Sequence, residues 1–151
     1  MADGLKSRAG KLRAAGLCGL ALLVAAPAAV GAAPGRYAGK TSQGLAVAVK
    51  VTKPTRANLS IGFRGRCSNG RGFQARSRTR DVSLTPRGYF SVALAVKGEL
   101  SGIGGGTHRF RIDGQVRKNV AEGRFRSTFT SGSVTCRSPR VTFTIRREAT
   151  G

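Results

Sequence analysis

The chain has 151 residues, with 27 Lys and Arg against 6 Asp and Glu, one His and no Trp, giving a formal net charge of +21. So few carboxylates, with one imidazole, make a histidine-built metal centre unexpected and show no spacing that identifies a glycosidase pair; with no tryptophan and no aromatics interleaved among the outward arginines, base stacking has little to work with, which counts against a dedicated single-stranded nucleic-acid reader. The length suits one domain with a modest core, and the charge attracts polyanions without selectivity.

At the start of the chain, Lys6, Arg8, Lys11 and Arg13 precede an apolar run from Ala14 to Val30 and the small-residue sequence "VGAAPG". These are the three parts of a secretory signal peptide, and cleavage is expected after Ala32, because a cut after Ala33 leaves proline at the new N-terminus. An uncleaved anchor is the alternative, but the run holds Pro27 and falls short of the roughly 20 residues that span a bilayer. The expected organisation is therefore a signal peptide over 1–32 and one domain over 33–151, with no transmembrane segment after cleavage, secreted or held in the cell envelope. Cys18 leaves with the leader. Cys67 and Cys136 remain, and an even pair in an exported chain predicts a disulfide, closing a loop worth about 4 kcal/mol by chain entropy.

After the leader, period-two alternation between turn signals predicts an all-β domain of about eight antiparallel strands, a barrel or a sandwich. The strands begin with "RYAGKT", then "LAVAVKVT", which aligns Leu45, Val47, Val49 and Val51 on one face. "NLSIGFRGRC" aligns Leu59, Ile61, Phe63 and Cys67, with Arg64 and Arg66 opposite, and the arginine-rich "GFQARSRT" follows. A five-residue loop over 68–72, pairing Cys67 with Phe73, keeps both inward. "YFSVALAV" aligns Phe90, Val92, Leu94 and Val96. The Gly102–Gly106 stretch lacks the Lys-Ser/Thr of a phosphate loop and reads as a mobile connection. His108 follows it, with Glu99 or Asp113 as conceivable acid-base partners and an exposed loop-edge position as the simpler reading.

The next two hairpins can be tested by parity, since paired strands present apolar residues on the same side. A two-residue loop at Lys118-Asn119 pairs Val116 with Ala121, Ile112 with Phe125 and Phe110 with Ser127. One at Ser131-Gly132 pairs Phe129 with Val134 and Ser127 with Cys136, turning Cys136 inward for a cross-core bridge to Cys67. In the last run, "RVTFTIRR", the inward set changes parity to Val141, Phe143 and Ile145, so a bulge or edge position is expected near Pro139.

These registers also fix the outer face. They set Arg111 against Arg126 and Arg126 against Arg137, flanked by Arg109 and Arg124, while Asp113 opposite Arg124 offsets part of the charge. Opposed like charges cost roughly 0.2–1 kcal/mol per pair, so the row suggests a bound anion, or a solvated face. Arginine suits the first, because its planar fork grips phosphate, sulfate or carboxylate with two bonds. GC-rich codons, which favour Arg, Ala and Gly together, are the compositional alternative.

The stretches "GRYAGKTSQGLAVAVKV", "GFRGRC", "DGQV", "AEGRFR" and "GSVTCRS" resemble those of a group of small exported actinobacterial proteins. That group is β-rich, starts Tyr-x-Gly-x-Thr-Ser-Gln-Gly and carries two cysteines, matched here by Tyr37, Gly39, Thr41, Ser42, Gln43 and Gly44 and by Cys67 and Cys136. The final strand departs, lacking a tryptophan-type aromatic. The resemblance implies export and a β fold and carries no activity. The preferred expectation is a non-enzymatic binding module, without cofactor, whose Arg109, Arg111, Arg124, Arg126 and Arg137 contact an anionic polysaccharide or other polyanion. The alternative is a small β-barrel enzyme or ligand carrier with an interior pocket.

Overall fold

In a computed structural model, which describes residues 31–149, the alternating segments form nine strands and no helix. They are β1 (Gly35–Lys40), β2 (Ala46–Lys53), β3 (Arg56–Cys67), β4 (Gly72–Ser83), β5 (Tyr89–Leu100), β6 (Gly104–Val116), β7 (Val120–Ser131), β8 (Val134–Arg137) and β9 (Val141–Arg147). Residues 1–30 of the leader predicted over 1–32, Cys18 among them, lie outside the described residues; Ala32, expected as the last leader residue, packs into the core.

All pairings are antiparallel within one sheet of order β4-β3-β2-β1-β9-β7-β6-β5, and β8 pairs with both β3 and β7. Strand β7 spends one edge on β6, and divides the other between β9 at Val120–Phe125 and β8 at Thr128–Ser131. Strand β3 likewise divides one edge between β2 and β8. Because β8 takes the same edges of β3 and β7 that hold β2 and β9, the path β3-β2-β1-β9-β7-β8 bounds a gap within one continuous wall, which this shortest strand bridges at one end.

Opposite walls meet inside, where the Phe63 and Phe125 rings lie 4.7 Å apart. Each is essentially inaccessible to water, and burying a side chain of that size contributes roughly 2–3 kcal/mol. Three other rings pack against glycines of the neighbouring strand: Phe73 on Gly65, Phe90 on Gly114 and Phe143 on Gly123. A Cβ at any of these glycines would come within 2.6 Å of the ring, so each ring occupies the space that the missing side chain leaves.

The Lys118-Asn119 hairpin has the predicted register. The other two differ by two residues and keep every face. Phe73 opposes Gly65 across a three-residue loop, because the ring needs a glycine beneath it and Gly70, at φ 82°, makes the tighter turn. Phe129 opposes Cys136 and Ser131 opposes Val134, because Gly132, at φ 53°, turns the chain one residue later than expected. The parity change at Pro139 is present: Ser138–Arg140 interrupt the pairing to β7, and the register shifts between β8 and β9.

Three further expectations are corrected. The disulfide Cys67–Cys136 joins directly opposed residues of adjacent strands β3 and β8 and does not cross the core. Gly104–Gly106 belong to β6, leaving only Ser101–Ile103 as a turn closed by Ile103 N–H to Leu100 C=O, so no mobile glycine loop exists there. Leu45 precedes β2 and packs on Gly62.

No ladder joins β4 to β5 among the described residues. The wall is therefore unzipped along one seam. Leu94 and Val96 face inward by register, yet are 42% and 44% exposed because nothing pairs beyond them.

Candidate functional site

The outer face of β6, β7, β8 and β3 is built from the polar half of the alternating pattern. Arg111 stands directly opposite Arg126, as expected, and Asp113 opposite Arg124. Arg137, expected beside Arg126, instead pairs with Thr128 on one side and Arg66 on the other, a consequence of the two-residue shift in the β7–β8 hairpin. Arg109 opposes Thr128, so its row runs Arg109, Thr128, Arg137, Arg66 across four strands. Arg64 and Arg66, which sequence assigns to a separate hairpin, thus join the same face through β8. That connection has no signature in the hydrophobic pattern, because it depends on β8 pairing on both edges.

Charge on this face is only partly offset. Asp113 binds Arg111 at 3.0 Å and Arg124 at 3.6 Å, and accepts a 2.6 Å hydrogen bond from Ser91. The Arg111 hydrogen bond holds the carboxyl below its usual range, with Ser91 and Arg124 adding to the effect against a burial penalty. Arg66, Arg109, Arg126, Arg137 and Arg140 form no ion pair among the described residues. Two shallow hollows lie between them: one of about 440 Å³ floored by Ala93 and Ala95 and walled by Arg109, Arg111 and Arg126, the other of about 290 Å³ where Arg140 meets Arg111, Arg124 and Arg126.

The Thr41–Gly44 turn supports this face. Thr41 Oγ1 accepts from the N–H groups of Gln43 and Leu45, and Gly44 supplies the left-handed φ of 75°. Gln43 then fills a gap in the wall. Between Ile61, paired with β2, and Arg66, paired with β8, this edge of β3 has no strand beside it. The Gln43 side-chain amide accepts from Arg64 N–H at 2.8 Å and donates to Arg64 C=O at 3.1 Å, standing in for a strand residue, while Arg64 Nη2 donates to Gln43 C=O.

His108 is neither at a loop edge nor beside an acid. It lies on β6 with its ring against Phe63 and Phe110, and its Nε2 is 2.5 Å from Oγ of buried Ser127. Burial pushes its pKa down, favouring the neutral ring. Asp113 is engaged on the outer face, and among the described residues no third group orients the His108–Ser127 pair, so the base-orienting member of a nucleophilic triad is not found there. Among the described residues no group of three His, Cys, Asp or Glu could hold a metal ion, and no helix is long and apolar enough to cross a membrane.

No protein-family model matches the chain, and no curated protein or solved structure is similar to it at a significant level.

Proposed function

We propose that the protein is an exported, non-enzymatic binding module of the cell envelope or extracellular space that holds an anionic polymer against its arginine face. The observation that carries this reading is the pair of directly opposed arginines, Arg111–Arg126 and Arg66–Arg137, in adjacent rows of one outer face. Each opposed pair costs the sheet roughly 0.2–1 kcal/mol, a cost that a bound phosphate, sulfate or carboxylate reverses. Unpaired Arg109 and Arg140 extend the contact along a strip, suiting a polymer better than a single small anion. A disulfide staple, compatible with an oxidising compartment, supports the extracellular placement.

The test is binding to polyphosphate, dextran sulfate and polygalacturonate across a salt series. The parent is compared with Arg109/Arg126/Arg137→Ala and with a control, Arg76/Arg78/Arg80→Ala, that removes equal charge from β4. The first variant is expected to lose far more affinity and to flatten the dependence of log K on log salt by about 2. Equal loss in both would show that attraction is diffuse.

A further inference from the structure

The open seam leads to a feature that the arginine face does not involve. Between β4 and β5 lies a cavity of about 130 Å³, walled by Phe63, Phe73, Val96, Leu100 and Phe129, with the His108–Ser127 pair on its inner wall and Arg76 and Glu99 at its mouth. We propose that this cavity is a binding site for a small, ring-sized apolar molecule carrying one hydrogen-bonding group, a hydroxyl or a carbonyl, which seats against His108.

Size and chemistry argue together. A cavity on the order of 150 Å³ has room for one benzene ring, and the two inner polar groups here already bond each other. His108 Nε2 is engaged by Ser127, so Nδ1 is the ring atom left to address a ligand. Because the serine hydroxyl can donate to Nε2 or accept from it, Nδ1 can serve as acceptor or donor, and one site takes either a hydroxyl or a carbonyl. The inward-facing but exposed Leu94 and Val96 mark the seam as the route of entry.

The test uses phenol, with benzene as the isostere lacking the hydroxyl, in NMR titrations of the disulfide-bonded protein that follow the His108 imidazole resonances in the parent and the backbone amide resonances of β4 and β5 in every variant. Phenol is expected to saturate in the millimolar range and benzene to bind about fivefold to tenfold more weakly. In His108→Phe, which keeps the aromatic packing, the two should bind alike. Gly98 lines the mouth, and a Cβ there meets no atom within 4 Å, so Gly98→Leu should keep the fold and weaken phenol at least tenfold. Non-saturating shifts in the parent, or phenol binding unchanged by Gly98→Leu, would overturn the site. So would a concentration-dependent dimer that protects Leu94 and Val96, which would assign the seam to a protein strand.

Discussion

Tyr37 is wholly buried, and its hydroxyl lies 2.9–3.2 Å from the carbonyl oxygens of Ala33, Arg117 and Lys118, tying β1 to the β6–β7 turn. His108 makes the sharper prediction. Burial disfavours its charged form, so its folded pKa lies below the unfolded value near 6.5, and between the two the unfolded chain binds more protons than the native one. Stability is then complete above about pH 7, falls as pH drops through 6.5, and levels off below the folded pKa. The melting temperature of the parent should decline over that window while that of His108→Phe stays flat. Asp113, held low by Arg111, begins to act only below about pH 4. At this scale sequence was a poor guide to partners: alternation tells which face His108 takes, but not that Ser127, two strand positions from Phe125, sits beside it. The motif residues Tyr37 and Gln43 were visible as a pattern, and their roles were not, since each bonds backbone distant in sequence.

Strand β8 has four residues, yet it ties β3 to β7. Two ladder positions tie it to β3, Arg66–Arg137 and Cys67–Cys136, and the disulfide covers one of them. The bridge spans a sequence separation of 69, so replacing both cysteines with serine should cost about 4 kcal/mol by loop entropy. Chemical denaturation would show it, and an unchanged midpoint would mean that the β8 ladder holds without the covalent tie. Faces at this scale were legible because the side-chain period is two, and an error of two residues preserves it. Registers were less legible: the hairpins at Gly70 and Gly132 are set by left-handed turns and by Phe73 needing Gly65 beneath it, which alternation alone does not encode. The dual pairing of β8 left no local trace at all, so Arg64 and Arg66 read as a separate cluster.

Across the whole molecule, cationic side chains cover the outer face with few acids among them, and four ion pairs join the described residues. Self-repulsion of this kind destabilises a compact state and is screened within about 10 Å at 0.1 M salt. Raising sodium chloride from about 10 to 300 mM should therefore raise the melting temperature. A fall would mean that the ion pairs outweigh the repulsion. The proposed export and role rest on no more than the leader pattern and the charge in the sequence, whereas the all-β class was plain from its alternation.

The topology also sets an order of events for the growing chain. β1 is completed only by β9, and β3 waits for β8, so these edges stay unpaired until residues 134–147 are present. Pairings so distant in sequence form slowly, because loop closure precedes any reward. On the export proposed above, that delay keeps these edges open while the chain is threaded, and the two thiols meet only once β8 has followed β3 across.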